Sequence, residues 1–152
     1  MQVKDIMVRE VIAVSQDMPI AEVASLLLQH NIHGVPVIDA DRKVLGIITE
    51  TDFFLKNSAA LYLPTYVEMV KQSVGKGIED IPEMKFLLAA SAKDIMTQNC
   101  TTLPEVADIQ DLLVLVKRHH YETFPIADYR GVLVGIVTLI DVIAALDNET
   151  EK

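Results

Sequence analysis

Hydrophobic and polar residues follow two different periodicities in the first part of the chain. Short apolar runs of strand length lie at residues 11–14, 35–38 and 44–49. Between the first two runs, apolar residues recur every three or four positions, as in a helix that buries one face: Ile20, Val23, Ala24, Leu27 and Leu28. A second helix is predicted from Glu50 to about Asn57. The predicted order is strand, helix, strand, strand, helix.

The same order recurs further along the chain at a constant offset. The tetrapeptide KDIM occurs at residues 4–7 and again at residues 93–96, an offset of 89 positions. Without a gap, this offset also aligns Pro36 with Pro125. The second copy predicts strands at residues 101–103, 124–127 and 133–138, and helices at residues 109–116 and 139–147. The chain is therefore a tandem of two units joined by an insertion, divided as residues 1–57, 58–92, 93–147 and a tail at 148–152.

One stretch of each unit joins a buried strand to a helix start. It reads GIITETD in the first unit and GIVTLID in the second. Thr49 and Thr138 are suited to cap the following helix, and Asp52 and Asp141 follow three residues later, as in a capping box. The unpaired amides of a helix N-terminus also attract phosphate. Thr and Asp can act as caps alone, but two matched copies favour an additional role in ligand binding.

The insertion at residues 58–92 is predicted to be helical. Two segments of helical composition, residues 61–74 and 82–92, are separated by Gly75, Lys76 and Gly77. Their apolar residues could cover the two units or a subunit interface, or they could form a lid over a ligand site. Both interpretations fit the pattern.

Composition narrows the classes of function. Hydrophobic residues make up 51% of the chain and aromatic residues only 5%, so the predicted core is aliphatic. The net charge of −9 argues against nucleic acid as a partner, because its backbone is bound by clustered Lys and Arg. Cys100 is the sole cysteine, which excludes an internal disulfide and suggests a reducing compartment. With no apolar run long enough to span a membrane and no apolar signal core, we expect a soluble cytoplasmic protein.

No catalytic or metal-binding constellation is visible in the sequence. The four histidines, His30, His33, His119 and His120, lack the spacing of a zinc site, so we expect no metal. Cys100 is expected to be a buried structural thiol, because no Cys, His and acid arrangement of a nucleophile is present. A phosphate-cradling glycine loop is also missing. We therefore expect no enzymatic activity and no required cofactor.

These features together resemble a pair of CBS domains, the cystathionine β-synthase-type repeat that forms a Bateman module. The marks are KDIM before the first strand, Val-Pro-Val and Phe-Pro-Ile in the second strand, and the glycine-to-aspartate stretch in the third. The resemblance covers about residues 4–57 and 93–147. It implies an α/β (α+β) fold in which two pseudo-symmetric β-α-β-β-α units pack through their sheets and leave two clefts.

The resemblance also implies a ligand. Family members commonly bind AMP, ADP, ATP or S-adenosylmethionine, with the aspartate of the stretch on the ribose hydroxyls and the threonine near phosphate. A carboxylate can accept hydrogen bonds from both hydroxyls of a ribose. The implied ribose and phosphate residues are Thr49 with Asp52 and Thr138 with Asp141. The implied adenine pocket residues are Val11, Ile12, Ala13, His33, Gly34 and Val35 in the first unit, and Cys100, Thr101, Thr102, Glu122, Thr123 and Phe124 in the second.

The two units differ where the family would hold phosphate. Some nucleotide-binding members place an Arg or His just before the second strand. The first unit has His33 at this position, whereas the second has Glu122, which would repel phosphate. Candidates for positive charge nearby in the sequence are Lys117, Arg118, His119 and His120. We therefore expect two clefts that are not equivalent, with at least one of them functional.

Two functions remain open. The favoured one is a non-catalytic regulatory or sensor module that binds an adenine nucleotide or other adenosyl ligand and signals by conformational change to an unknown effector protein. Such a module is expected to act as a homodimer. The alternative is a structural or dimerising module with vestigial clefts and no ligand. The two Thr–Asp pairs support the first function, and Glu122 supports the second.

Overall fold

The computed structural model describes residues 1–53, 89–119 and 122–150. Most of the predicted insertion, and the predicted second helix beyond Phe53, lie outside these residues. The strands are β1 (Val14–Ser15), β2 (Gly34–Ile38), β3 (Val44–Thr49), β4 (Thr97–Gln98), β5 (Thr123–Ala127) and β6 (Leu133–Thr138). The helices are α1 (Ile20–His30), α2 (Ala92–Ile95), α3 (Ile109–His119) and α4 (Leu139–Thr150), with 3₁₀ turns at Val3–Asp5 and Glu50–Phe53. The predicted α/β class is confirmed.

Each sheet is completed by a segment that precedes the other unit in the chain. The first sheet has the order β1-β2-β3-β4, and its last strand is added by the antiparallel pairing of Thr97 with Ile47. In the second sheet, β5 pairs with β6, and Val8 forms an antiparallel bridge to Ile136 of β6. These two pairings are equivalent, because the offset of 89 relates Val8 to Thr97 and Ile47 to Ile136. We call the two crossing segments the lead segments: residues 2–8 and 91–97.

The first strand of each unit is shorter than the apolar run predicts. β1 covers two residues rather than four, and the equivalent part of the second unit contributes a single parallel bridge, from Leu103 to Ile126. One pair further toward the N-terminus, the partner residues on β2 and β5 would be Pro36 and Pro125. Proline has no amide hydrogen to donate, so the parallel ladder stops there. Residues 11–13 consequently lie beside the sheet, where they are available to line a cleft.

The two units meet at their hairpin turns, close to a pseudo-two-fold axis. Lys43 bridges Val132, and the offset of 89 maps this pair onto itself. The amide of Val44 donates to the carbonyl of Gly131 at 3.0 Å, and the amide of Leu133 donates to the carbonyl of Arg42 at 2.9 Å. This reciprocal pair of hydrogen bonds joins the sheets of the two units.

The described residues form a hydrophobic core in each unit, and both cores include residues of the opposite unit's lead segment. Ala92 packs in the core of the first unit with β2, β3 and α1, whereas Val3 and Met7 pack in the core of the second unit with α3, β5 and β6. Val3 and Ala92 are completely buried. Their amides donate across the units, to Ala107 at 2.8 Å and to Met18 at 2.9 Å respectively. Each core is therefore completed by the other unit.

Candidate functional site

In both Thr–Asp turns, the aspartate half of the predicted capping box is present, but the threonine hydroxyl donates to the aspartate instead of accepting from a helix amide. At the start of α4, the amide and the hydroxyl of Thr138 donate to Oδ2 of Asp141 at 2.7 and 2.8 Å. In the first unit, the amide and hydroxyl of Thr49 donate to Oδ2 of Asp52 at 2.8 and 3.4 Å. Each aspartate thus caps the backbone turn with one oxygen, which leaves its Oδ1 to make any further contact.

Of the two pseudo-symmetric clefts beside the Thr–Asp turns, the larger lies in front of Asp141 and has a volume of about 490 Å³. This size falls within the range of small-molecule sites. Both units contribute to its walls, which are mainly aliphatic. The residues around it are Val8, Glu10, Val11, Ile12, Asn31, Ile32, His33 and Gly34 from the first unit and Glu122, Thr123, Ile136, Thr138, Leu139, Ile140, Asp141 and Ile143 from the second.

The smaller cleft is the pseudo-symmetric counterpart beside Thr49, and its volume is about 270 Å³. The residues around it are His33, Ile47, Thr49, Glu50, Thr51, Thr97, Cys100, Thr101, Glu122, Thr123 and Pro125. At four positions the offset of 89 pairs a polar residue here with an apolar residue in the larger cleft: Glu50 with Leu139, Thr51 with Ile140, Thr97 with Val8, and Thr101 with Ile12. The smaller cleft is therefore the more polar one and offers less apolar surface to a ring.

The lead segments make the two aspartates inequivalent. The hydroxyl of Thr97 donates to Oδ1 of Asp52 at 3.1 Å. The equivalent residue in front of Asp141 is Val8, which has no hydroxyl. Within the part of the chain that the structure describes, Oδ1 of Asp141 consequently accepts no hydrogen bond. The protein itself supplies a hydrogen-bond donor to Oδ1 of Asp52, but the described residues supply none to Oδ1 of Asp141.

His33 and Glu122 occupy equivalent positions and line both clefts. Nδ1 of His33 contacts Oε1 of Glu50 on the side of the smaller cleft. Of the described residues that line either cleft, none is Lys or Arg. The positive charge considered at Lys117 and Arg118 lies at the exposed end of α3, outside both clefts. His120 lies outside the described residues, as does the residue that follows it.

The structure brings most of the predicted site residues to the clefts, but it combines them across the units. Val11, Ile12 and Gly34 of the first unit face Asp141 of the second, whereas Cys100 and Thr101 of the second unit face Thr49 of the first. Thr123 lines both clefts. Five predicted site residues line neither cleft: Ala13, Val35, Asp52, Thr102 and Phe124. Val35 and Phe124 are core residues, because successive strand residues point to opposite faces of a sheet.

Several cleft residues do not follow from the sequence interpretation. Leu139 and Ile140 occupy the two free positions of the Thr–Asp stretch, and a comparison with Glu50 and Thr51 at the same positions would have indicated the more apolar cleft. The role of Thr97 depends on the crossing of the lead segments. No local pattern in the sequence predicts that crossing.

Other chemistry is limited in the described residues. Burial raises the pKa of the Cys100 thiol above its usual value, against a smaller lowering by a backbone hydrogen bond of its own, which favours the unreactive protonated form. In residues 1–53, 89–119 and 122–150, no three His, Cys, Asp or Glu side chains converge as they would around a metal ion. None of the helices in these ranges combines the length and apolarity needed to cross a membrane.

Comparison with known proteins gives a consistent result. The model of the CBS domain family matches residues 3–56 and 92–148. An uncharacterized protein of Methanocaldococcus jannaschii, MJ1426, is 29% identical over 96% of this chain and 91% of its own length. The inosine-5′-monophosphate dehydrogenase of Thermoplasma acidophilum is 28% identical over 91% of this chain. This chain spans only 22% of that enzyme's length.

Solved structures show the same fold. The CBS domain pair of protein MJ0100, in complex with 5′-methylthioadenosine and S-adenosylmethionine, aligns with a TM-score of 0.69 at 23% identity, covering 96% of this chain and 99% of the other. CBSX2, a CBS-pair protein of Arabidopsis thaliana, aligns in its complex with AMP with a TM-score of 0.73 at 21% identity. That alignment covers 97% of this chain and 98% of CBSX2.

Proposed function

Because this chain belongs to the CBS domain family, with two matched repeats, we propose that it is a non-catalytic regulatory module that binds an adenosine-containing ligand in the larger cleft. The single observation that carries the proposal is Asp141. Its Oδ2 is fixed by Thr138, and its Oδ1 is left to accept hydrogen bonds at the edge of a largely aliphatic cleft of about 490 Å³.

The chemistry of the larger cleft matches the two parts of an adenosine. The ribose diol donates to Oδ1 of Asp141, and the planar adenine packs against aliphatic side chains such as Val11, Ile12 and Ile136. The AMP complex of CBSX2 and the S-adenosylmethionine complex of MJ0100 support this class of ligand. The smaller cleft is less suitable, because Thr97 already donates to Oδ1 of Asp52.

Signalling would follow from the position of the ligand between the units. One wall of the larger cleft is residues 8–12, at the end of the first lead segment and directly after it, and the opposite wall is the start of α4. A ligand that contacts both walls stabilises the arrangement in which they are correctly spaced, and it shifts the population toward that arrangement. Because each lead segment completes the opposite core, a change of spacing is transmitted to both units.

The test combines a ligand screen with two matched substitutions. Adenosine, 5′-methylthioadenosine, S-adenosylmethionine, AMP, ADP and ATP are screened by thermal shift. A ligand at 100 times its Kd adds about 2.7 kcal/mol, or roughly 5–10 °C in a chain of this size. Asp141→Asn keeps an oxygen for Thr138 but removes the acceptor at Oδ1, so we expect at least tenfold weaker binding. Asp52→Asn makes the same change at the equivalent position, next to Thr49 of the smaller cleft, and we expect unchanged affinity.

Two results would refute the proposal. If Asp52→Asn abolishes binding and Asp141→Asn does not, the ligand occupies the other cleft. If none of the six compounds raises the melting temperature at millimolar concentration, the structural module without a ligand becomes the better account. Circular dichroism of both variants checks that each remains folded.

The proposal extends to a cytoplasmic homodimer that acts on an effector protein. Ile140, Ile143 and Leu146 on α4 are 67, 59 and 46% exposed, which leaves an apolar helix face that a second copy could bury. Ile140 and Ile143 also border the larger cleft, so association there would respond to the ligand. Sedimentation equilibrium should give a dimer mass, and Leu146→Glu should lower it. A monomer at every concentration tested would contradict this part of the proposal.

A further inference from the structure

We propose that the larger cleft selects adenosyl ligands whose 5′ substituent is uncharged or positively charged, such as a thioether or a sulfonium, over ligands with a 5′-phosphate. This inference rests on the proposed function, because it concerns the ligand class of the same cleft. It is carried by the charges around that cleft.

The charged side chains of the larger cleft are almost all acidic. Glu10, Glu122 and Asp141 contribute three carboxylates, and the described residues around the cleft include no Lys or Arg. His33 is the only basic side chain among them, and its Nδ1 is engaged by the carboxylate of Glu50. Proteins usually hold phosphate with Arg or Lys or with free amides at a helix start. Among the described residues, the side chains around this cleft supply neither Arg nor Lys for such a contact.

The start of α4 does not replace them. The amide of Thr138 donates to the carboxylate of Asp141 at 2.7 Å, and the amide of Leu139 donates to the carbonyl of Glu122 at 3.0 Å. The negative charge of Asp141 in the first turn also balances the positive end of the helix dipole. Two amides at this helix start are therefore already used, and a carboxylate of the protein already faces the dipole, which makes the site less favourable to phosphate.

The cleft is so small that any bound ligand lies close to these carboxylates. A sphere of 490 Å³ is about 10 Å across, which is comparable to the Debye length of about 8–10 Å at physiological salt. A phosphate anywhere in the cleft is consequently repelled by the surrounding carboxylates with little screening. A sulfonium is attracted by the same carboxylates, and a thioether leaves them solvated.

Isothermal titration calorimetry at fixed pH and ionic strength tests the selection. The probes are adenosine, 5′-methylthioadenosine, S-adenosylmethionine, AMP and ATP, all with the full chain. We expect 5′-methylthioadenosine and S-adenosylmethionine to bind at least tenfold more tightly than AMP, and ATP to bind more weakly than AMP. Added salt should narrow the difference between S-adenosylmethionine and AMP, because it screens both attraction and repulsion.

Matched variants test whether local charge causes the preference. Glu122→Gln removes one carboxylate from the cleft, and we expect the ratio of AMP affinity to S-adenosylmethionine affinity to rise threefold to tenfold. Glu22→Gln removes the same charge from an exposed position on α1 outside both clefts, and we expect no change in the ratio. Equal effects of the two substitutions would overturn the local explanation.

The outcomes separate this inference from the proposed function. If AMP or ATP binds as tightly as 5′-methylthioadenosine, the charge selection is refuted while the adenosine-binding function stands. If adenosine itself and every other probe fail to bind, the proposed function is refuted, and the selection falls with it.

Discussion

The crossing of the lead segments predicts different tolerances at two equivalent glycines. Gly46 pairs with Gln98 of β4, and Gly135 lies beside Met7 and Val8 of the first lead segment. A Cβ added at Gly46 would lie 2.5 Å from the carbonyl oxygen of Thr97, which is backbone. At Gly135 the nearest atom is Sδ of Met7 at 2.6 Å, at the far part of a flexible side chain. We therefore expect Gly46→Ala to be the more harmful substitution.

The loss of folding stability in each variant depends on which atoms must move to make room for the added Cβ. To reach an ordinary contact of 3.4 Å from 2.5 Å, the carbonyl of Thr97 must shift by 0.9 Å. This shift strains two register pairs of β4 and the hydrogen bond from Thr97 to Asp52. Overpacking of this kind costs about 1–3 kcal/mol, and we expect about 2 kcal/mol for Gly46→Ala. For Gly135→Ala we expect about 1 kcal/mol, because Sδ and Cγ of Met7, at 2.6 and 3.1 Å, belong to a side chain that can change rotamer, and the only backbone atom among the three nearest is the carbonyl oxygen of Val8 at 3.1 Å.

Differential scanning calorimetry and urea denaturation of the two variants provide the measurement. About 2 kcal/mol corresponds to a melting temperature lower by roughly 4–8 °C in a chain of this length, and about 1 kcal/mol to roughly 2–4 °C. Gly131→Ala serves as a control for sterics, because no atom lies within 4 Å of its added Cβ and only its φ of +83° opposes the substitution. A Gly135→Ala variant that is less stable than Gly46→Ala would refute the argument from backbone contact.

Three further predictions concern single side chains. Thr97→Val removes the hydrogen bond to Asp52 and should lower the free energy of unfolding by about 1 kcal/mol in urea titrations; an unchanged value would mean that the bond contributes nothing. Val8→Thr should place a hydroxyl against Oδ1 of Asp141 and weaken adenosine binding several-fold in calorimetry, and equal or tighter binding would contradict the role of that oxygen. The pKa of Asp94 lies below its usual value, mainly because its carboxylate accepts a hydrogen bond from the amide of Ser91, and to a smaller extent because it accepts one from the hydroxyl of Ser91. Its contribution to stability is therefore present above the unfolded-state pKa and is lost as the pH falls through the lower folded-state value. Asp94→Asn should lose less stability than the wild type when the pH falls from about 5 to about 2, as followed by circular dichroism.

Local patterns predicted the parts of the fold that depend on local interactions. The spacing of apolar residues predicted α1, and Ile20, Val23, Ala24 and Leu27 of that pattern are buried. Leu28 belongs to the same pattern but is 44% exposed. The aspartate half of each predicted capping box also formed, because its hydrogen bond joins residues only three positions apart.

Features that depend on long-range pairing could not be predicted in the same way. The apolar run at residues 11–14 predicted a four-residue strand, but Pro36 ends the parallel ladder early. The exchange of lead segments decides that Val8 faces Asp141 and that Thr97 donates to Asp52. Repeat symmetry is compatible with each lead segment joining its own sheet or the opposite one. The inequivalence of the two aspartates therefore emerged only from the three-dimensional structure.

A crystal structure of the full chain with bound adenosine or 5′-methylthioadenosine would show which cleft holds the ribose. We expect a ligand in the larger cleft, with its ribose hydroxyls about 2.5–3.0 Å from Oδ1 of Asp141, and no ligand beside Thr49. Ligand density in the smaller cleft, with the hydroxyl of Thr97 displaced from Asp52, would contradict it.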